Sequence, residues 1–166
     1  EQLQATAPDV IAIGPGLGFS EIARDWLMAV LRYPTVPVAI DADALSLIAD
    51  TPEYLDLLKQ RNQTFPGKTV ITPHPGEAAH LLNTAADTIQ ANRLSALSQL
   101  IALTNSIVVL KGQHTLIASP AHSTVQCAQG NPGMAVGGMG DVLTGSIAAI
   151  AAQGIRHNLN LWEASC

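Results

Sequence analysis

Charged and aromatic residues are scarce in this sequence of 166 residues, at 13% and 4% of the chain. Its eight lysines and arginines are scattered and the formal net charge is −5, which argues against a nucleic-acid-binding surface. No apolar run reaches the roughly 18 residues that a membrane span requires. We therefore expect neither a nucleic-acid partner nor a membrane.

Cysteine is equally scarce, since the chain holds only Cys127 and Cys166. These two residues provide neither a disulfide framework nor the spacing of a metal site. The chain begins at Glu1 without the basic and apolar segments of a signal peptide, so we expect a cytoplasmic location. The missing initiator methionine and the abrupt end at Cys166 indicate a fragment.

What the sequence does contain is short apolar runs that alternate with stretches of helical periodicity. Hydrophobic residues make up 48% of the chain, enough for a real core, and we expect residues 1–166 to form one domain. The alternation predicts an α/β fold with a mostly parallel sheet. The predicted strands are residues 10–13, 36–40, 70–72 and 107–110, followed by an antiparallel pair at 115–118 and 125–128.

Helices are predicted between and after these strands. Behind the cap Ser20, the residues Ile22, Trp26, Leu27 and Val30 recur at helical spacing and predict one buried stripe. Further helices are predicted at residues 43–48, 75–82, 87–101 and 141–152, and the polar residues 59–68 are expected to form a surface loop.

Glycine, acidic residues, histidine and lysine gather just after the predicted strands. In open parallel sheets, ligands bind beyond the carboxyl ends of the strands, so these loops favour a ligand site at one edge. The loops are GPGLG at residues 14–18, DAD at 41–43, TPHPGE at 72–77, KG at 111–112 and GGMGD at 137–141.

The glycine-rich loop that ends in GGMGD and opens a helix is the strongest signal for a phosphate-bearing ligand. Glycine lets backbone N–H groups approach an anion, and the first helical turn adds unpaired N–H groups and the positive end of the helix dipole. Asp141 would repel a phosphate, but its place is explained if it takes a proton from a hydroxyl while the N–H groups hold developing negative charge. The alternative is a flexible loop with Asp141 as an ordinary cap.

The GPGLG and TPHPGE loops differ in how strongly they indicate a ligand site. GPGLG lacks the third glycine of the dinucleotide fingerprint, because Phe19 stands there, and a tight turn explains it as well as a ligand contact does. His74 stands between two prolines on a rigid loop, which favours a ligand contact. Glu77 is explained as an acid that complements the dipole of the following helix.

Lys111 and the two aspartates of DAD leave alternatives open. Lys111 could reach a phosphate with Gly112 clearing room for it, or it could snorkel at the sheet edge. Asp41 and Asp43 could hold Mg²⁺ through water, although one of them could equally be a helix cap.

Taken together, these loops, with DADAL at residues 41–45 and GGMGDVL at 137–143, resemble the ADP-dependent (S)-NAD(P)H-hydrate dehydratases, and in particular their bacterial members. The resemblance covers residues 10–150. It implies the three-layer α/β/α fold of the ribokinase-like superfamily, and dehydration of NADHX or NADPHX to NADH or NADPH. It also implies ADP or ATP as phosphoryl donor, Mg²⁺ with the nucleotide, and a homotetramer. The chain is shorter at both ends than the usual domain.

The same resemblance assigns individual residues. Asp141 matches the catalytic base and a contact to the hydrated cofactor, and no residue is assigned to a metal. Gly16 and His74 match the site of the hydrated cofactor. The adenine-nucleotide site is matched by Lys111, Gly112, Gln113, His114, Thr115 and Gly140.

Two other functions remain open. A kinase of the same superfamily, acting on a sugar or a hydroxymethyl heterocycle, would use the same glycine-rich loop, although the His74 turn counts against it. A non-enzymatic nucleotide-binding or assembly module would not need Asp141 as a base.

Overall fold

The computed structural model describes residues 6–131, 133, 136–154 and 159–166. A six-stranded sheet follows chain order from β1 to β6. Strands β1 to β4 are parallel to one another, and β5 and β6 continue the sheet in antiparallel pairs. The predicted mostly parallel sheet with a final antiparallel pair is confirmed. The strands are β1 (Ile11–Ile13), β2 (Val38–Ile40), β3 (Thr69–Ile71), β4 (Ile107–Leu110), β5 (Leu116–Ser119) and β6 (His122–Gln126).

Helices connect the parallel strands and cover both faces of the sheet. They are α1 (Glu21–Arg32), α2 (Ala42–Asp50), α3 (Pro52–Thr64), α4 (Pro75–Leu81), α5 (Ala86–Ala91), α6 (Arg93–Thr104), α7 (Met139–Gly154) and α8 (Leu161–Ser165). Within the described ranges, no helix is long and apolar enough to cross a membrane.

Strand side chains alternate between two hydrophobic clusters on opposite faces of the sheet. Val38 and Ile40 belong to the cluster that is closed by α1 to α6. Ala39, between them, belongs to the cluster that is closed by Ile147 of α7 and Leu161 of α8. This period of two is expected of strands that are covered on both faces. The three-layer α/β/α arrangement is confirmed.

Helix α1 begins as predicted but turns a different face to the core. The hydroxyl of Ser20 accepts the N–H of the third helical residue, at 3.2 Å. The predicted burial of Ile22 and Trp26 is wrong, since these side chains are 69% and 38% exposed. The buried stripe is formed by Ala23, Leu27, Val30 and Leu31, which follow one another at helical spacing.

The predicted surface loop at residues 59–68 is wrong over its first six residues, which belong to α3. Arg61 is buried, and its guanidinium donates to the Thr69 hydroxyl at 3.2 Å and to the carbonyls of Val30, Tyr33 and Val36. A polar residue can be buried when its donors are satisfied by backbone oxygens. The polarity of this stretch therefore reflects a buried hydrogen-bond network as well as an exposed helix face.

The single helix predicted over residues 87–101 is two helices. Asn92 ends α5, and its side chain accepts the N–H of Ser95 at 3.0 Å and so caps α6. The new start rotates the apolar face, which leaves Leu94 exposed and buries Leu97 and Leu100.

Candidate active site at the carboxyl edge of the sheet

The carboxyl ends of β2, β3 and β4 lie side by side and bring polar residues together. Asp41 follows β2, Thr72 follows β3 and Lys111 follows β4. Backbone pairing continues past the strand ends, because the N–H of Asp41 donates to the carbonyl of Ile13 and that of Thr72 to the carbonyl of Ile40, both at 3.1 Å. The expectation that these loops meet at one edge is confirmed for these three residues.

Asp41 and Lys111 form an ion pair at this edge. Nζ of Lys111 lies 2.7 Å from Oδ1 of Asp41 and 3.7 Å from Oε2 of Glu77. The side chain of Asp41 is 1% exposed and that of Lys111 is 16% exposed. A carboxylate so buried requires a partner, because an unpaired buried charge is strongly unfavourable. Asp41 precedes α2, yet its side chain makes no cap bond, and its carboxylate is held by Lys111 instead.

The second oxygen of Asp41 binds helix α7. Oδ2 accepts the hydroxyl proton of Thr144 at 2.7 Å, and the hydroxyls of Thr144 and Thr72 lie 3.2 Å apart. Both threonines are buried. The second turn of α7 is therefore tied to the ends of β2 and β3 through hydroxyl groups. We call this group the carboxyl-edge cluster, and its members are Asp41, Thr72, Glu77, Lys111 and Thr144.

The first turn of α7 lies directly against the lysine. A Cβ atom added to Gly140 would stand 3.1 Å from Nζ of Lys111 and 3.7 Å from Oδ2 of Asp41. Only glycine leaves this contact undisturbed. Asp141, the next residue, is exposed, and its carboxylate has no hydrogen bond or ion pair with any described residue. Pro132, Met134 and Ala135 of the predicted glycine-rich loop lie outside the described residues.

His74 caps helix α4 with its imidazole. Its Nδ1 accepts the N–H groups of Gly76 at 3.0 Å and Glu77 at 3.2 Å, while Oε2 of Glu77 accepts the N–H of His74 at 2.7 Å. This reciprocal pair is a capping box. Because Nδ1 acts as acceptor, the neutral ring carries its proton on Nε2. The side chain is 56% exposed and Nε2 lies 3.5 Å from Oε1 of Glu77, so a ligand would compete with that carboxylate for the Nε2–H group.

A shallow hollow of about 360 Å³ opens beside this cap, between the starts of α2 and α4. The exposed edge of His74 and the carboxylate of Glu77 both line this hollow. Oε2 of Glu77 is the oxygen that lies 3.7 Å from Nζ of Lys111. The residues that line it are Ala42, Asp43, Ser46, His74, Gly76, Glu77 and His80.

The turn between β1 and α1 is tied to the same region. Gly14 has a φ of +132°, and a Cβ atom there would stand 1.8 Å from the carbonyl oxygen of Asp41, so only glycine allows this approach. The helix predicted at residues 43–48 is present as α2, but Asp43 lies within its first turn and does not cap it. Its Oδ2 accepts the N–H of Gly18 at 2.8 Å instead. Gly16, at the exposed tip, has a φ of +65° and open space around it.

The turn between β4 and β5 holds the other predicted nucleotide residues. Gly112 does not clear room for Lys111, because the space beside it is filled by Arg93, whose Nη1 would lie 2.3 Å from a Cβ atom there. Arg93 donates to the carbonyls of Leu110 and Lys111, and burial lowers the pKa of its guanidinium. Thr115 folds its hydroxyl back onto the Gly112 carbonyl.

The described residues contain no group of three histidine, cysteine, aspartate or glutamate side chains that could hold a metal ion. Asp41 is committed to Lys111 and Thr144, and Asp43 is committed to the N–H of Gly18. The aspartates of DAD are therefore already bound within the protein. The donor set does not fit a magnesium ion that is held by protein ligands alone.

Comparison with known families adds to this geometry. The family model described as NAD(P)H-hydrate dehydratase matches residues 2–165. The chain belongs to the NAD(P)H-hydrate dehydratase family. The resemblance inferred from the sequence loops is thus confirmed over nearly the whole chain.

Individual members of the NAD(P)H-hydrate dehydratase family are clearly similar to this chain. The bifunctional NAD(P)H-hydrate repair enzyme of Coxiella burnetii is 41% identical over 148 residues, which are 89% of this chain and 28% of that protein. The ADP-dependent (S)-NAD(P)H-hydrate dehydratase of Neisseria meningitidis is 38% identical over 155 residues, which are 93% of this chain and 49% of that protein. The chain spans between about a quarter and a half of the length of these relatives.

A solved structure of the NAD(P)H-hydrate dehydratase family shares the fold. The ADP/ATP-dependent enzyme of Bacillus subtilis superimposes with a TM-score of 0.71 at 30% identity, over 94% of this chain and 53% of that one.

The structure brings some of the predicted site residues together and leaves others apart. Lys111 and Gly140 are in contact, Asp141 follows directly, and His74 is linked to Lys111 through Glu77. Gln113 and His114 are exposed, and no described contact joins them to the carboxyl-edge cluster.

Sequence reasoning missed the role of three buried residues. Asp41 was considered as a magnesium ligand or a cap, and Thr72 and Thr144 were not considered. A signal was present, because Asp41 and Thr72 directly follow strands and Thr144 stands four residues after Gly140, on the same side of a helix.

Proposed function

We propose that the full-length protein catalyses the ADP-dependent dehydration of (S)-NAD(P)H hydrate to NAD(P)H. The observation that carries this proposal is the contact between Lys111 and the first turn of α7, where Gly140 has no side chain and Asp141 has an unpaired carboxylate. A cation, the N–H groups of a helix start and a free base stand together there. This is the set that phosphoryl transfer to a hydroxyl requires.

Each group of the chain has a distinct task in this reaction. ADP, when bound, supplies the phosphoryl group that makes the C6 hydroxyl of the hydrate a better leaving group than hydroxide. Asp141 accepts the proton of that hydroxyl. Lys111 and the N–H groups at the start of α7 hold the negative charge of the phosphate oxygens. The C6–O bond then breaks, so that the hydroxyl oxygen leaves as part of phosphate, and a proton is lost from the adjacent ring carbon. The products are NAD(P)H, phosphate and AMP.

The adenine nucleotide fits the residues at this edge. Lys111 has three ammonium protons, and Asp41 is the only described residue at hydrogen-bond distance from Nζ. Its remaining donors are available to a phosphate at the cleared first turn of α7. The Bacillus subtilis relative was co-crystallized with ATP and Mg²⁺. In this chain any Mg²⁺ would be held by nucleotide phosphates and water, as is common for this ion.

The residues predicted for the hydrated cofactor and the nucleotide keep those roles in the proposal. His74 offers its Nε2–H group, and Gly16 offers backbone at the tip of an exposed turn. Gly112, Gln113, His114 and Thr115 form the turn that would border the nucleotide. A homotetramer and a cytoplasmic location stay predictions.

The test is to incubate the full-length protein with (S)-NADHX and ADP and to follow the absorbance of the reduced nicotinamide. The proposal expects a rise that depends on ADP and is absent when ADP is withheld. No rise, under conditions in which an authentic dehydratase works, would contradict it. A stable phosphorylated product from a panel of sugars and hydroxymethyl heterocycles would support a kinase instead.

A further inference from the structure

The hydroxyl of Thr144 has a fixed direction in the carboxyl-edge cluster. An ionised carboxylate only accepts hydrogen bonds, so the single proton of Thr144 is donated to Oδ2 of Asp41, at 2.7 Å. Thr72, 3.2 Å away, must therefore donate to Thr144, and its other acceptor, the Ile40 carbonyl, lies farther away at 3.5 Å. The order of donation is Thr72 to Thr144 to Asp41.

The same carboxylate receives the lysine on its other oxygen. Asp41 accepts from Thr144 on Oδ2 and from Lys111 on Oδ1, both at 2.7 Å. Its orientation, and with it the position of Nζ, is thus set from two sides. Since Thr144 lies on α7, the helix that carries Gly140 also anchors the carboxylate that holds the lysine.

Lys111 has a competing partner. Oε2 of Glu77 lies 3.7 Å from Nζ, outside hydrogen-bond distance, and also accepts the N–H of His74 at 2.7 Å. If Asp41 were free to turn, Lys111 could move toward Glu77 and away from the first turn of α7. The bond from Thr144 opposes this movement.

We propose that Thr144 is a positioning residue, which acts through Asp41 to hold the Lys111 ammonium against the first turn of α7. This inference rests on the proposed function, because it concerns the same nucleotide site. Because Thr144 and Gly140 both lie on α7, this helix would itself fix the distance between Lys111 and Gly140. A hydroxyl is required at this position, and threonine or serine can provide it.

The test compares two substitutions in the full-length protein. Thr144→Val keeps the branched shape and removes the hydroxyl, while Thr144→Ser keeps the hydroxyl. We expect Thr144→Val to raise the Kd for ADP, measured by calorimetry, about tenfold, as for the loss of one hydrogen bond to a charged group. Thr144→Ser should restore the Kd to within about twofold of wild type.

Ser146→Ala provides the matched control. Its hydroxyl lies on the same helix but donates to the carbonyl of Val142 within that helix, so the Kd for ADP should not change. A Thr144→Val protein with a lower Tm but an unchanged ADP Kd would overturn the proposal, because the hydroxyl would then be merely structural.

Should Thr144→Val fail to fold, Thr144→Ala removes the same hydroxyl without placing a methyl group against the carboxylate. It deletes the bond from Thr144 to Asp41, so we again expect a rise in ADP Kd of about tenfold. An unchanged Kd in a folded Thr144→Ala protein would overturn the proposal.

The two proposals fail in different ways. Wild-type protein that binds ADP but does not convert (S)-NADHX contradicts the proposed function and leaves the comparison of ADP Kd values valid. Turnover in the wild type with equal ADP Kd in Thr144→Val contradicts the positioning role alone. Wild-type protein that binds no adenine nucleotide would overturn both.

Discussion

The sheet has a buried charged cluster at each end of its strands, and the two clusters differ in what surrounds the charge. At the amino end, Arg61 donates to the hydroxyl of Thr69 and to three backbone carbonyls. It has no acidic partner among the described residues, and burial lowers the pKa of its guanidinium. At the carboxyl end, Lys111 stands between two carboxylates and beside Gly140, which has no side chain of its own.

The difference indicates which cluster serves the fold and which serves a ligand. Four of the five N–H donors of Arg61 point to protein oxygens, which leaves little of that cluster for a ligand. Within the part of the chain that the structure describes, the ammonium of Lys111 has one hydrogen bond, and the helix start beside it carries a glycine. In parallel α/β sheets the carboxyl ends of the strands are where ligands bind, and the two clusters follow that rule.

The largest effect on activity is expected from substitution of Asp141, which should lower kcat without changing the affinity for ADP. Asp141→Asn removes the base but keeps the shape, so we expect kcat to fall by about 10³-fold, within the range known for general bases. The Kd for ADP should stay near its wild-type value. Retained turnover would remove Asp141 from its role as base, and calorimetry with ADP provides the binding control.

A substitution at Arg61 should lower the stability of the protein and leave its kcat unchanged. Arg61→Met leaves several buried carbonyl oxygens without a donor, and we expect the free energy of unfolding to fall by about 3 kcal/mol. Urea unfolding measures this loss. The kcat of the remaining folded protein should match wild type, and a reduced kcat at unchanged stability would break the contrast between the two clusters.

Gly140 tests the contact between the lysine and the first turn of α7. In Gly140→Ala the new Cβ would lie 3.1 Å from Nζ, so the lysine must shift by a few tenths of an ångström. We expect kcat/KM for ADP to fall about tenfold, because small misplacements at a reacting site have large effects.

Gly145→Ala is the matched control on the same helix, because a Cβ there meets nothing within 4 Å. It should leave kcat/KM unchanged and raise the free energy of unfolding by about 0.5 to 1 kcal/mol through helix propensity. Equal kinetics in the two alanine variants would contradict the proposed contact.

The smallest effect is expected at His74, where cap and ligand contact can be separated. Asparagine is a good N-cap but has no donor at the position of Nε2, so His74→Asn should keep the free energy of unfolding within about 0.5 kcal/mol. We expect the KM for (S)-NADHX to rise about fivefold, the effect of losing one neutral hydrogen bond. A wild-type KM would show that His74 is a cap and nothing more.

The sheet could be predicted from the sequence because its strands are short apolar runs that end at marked loops. The first five strands lie close to their predicted positions, because they are buried apolar runs. The sixth lies at His122–Gln126, three residues before the start predicted for it, because its residues are all exposed and leave no apolar run to mark them. The helix faces were predicted less well, because Ile22 and Trp26 fit the same periodicity as the true stripe. Periodicity alone does not say which of two overlapping stripes faces the sheet.

The candidate site was predicted in part, and the missing part depends on distant pairing. Lys111 and Gly140 were predicted from their local motifs, but their contact joins residues far apart in the sequence. The bond from Thr144 to Asp41 spans 103 residues. Local spacing places Thr144 on the same side of the helix as Gly140, but it does not say which distant side chain Thr144 reaches. Arg61 was misread for the same reason, since its acceptors lie on α1 and the loop that follows it.

The most direct test of this account is the thermal stabilisation of wild-type, Lys111→Ala and Arg61→Met proteins by ADP, with ATP and AMP in parallel to establish the preferred nucleotide. At 100 times the Kd, ADP should stabilise the wild type by about 2.7 kcal/mol, a rise in Tm of several degrees. Lys111→Ala should retain about half of that rise or less, and Arg61→Met should retain all of it from a lower starting Tm. A full ADP shift in Lys111→Ala, or its loss in Arg61→Met, would contradict the assignment of ligand binding to the carboxyl edge.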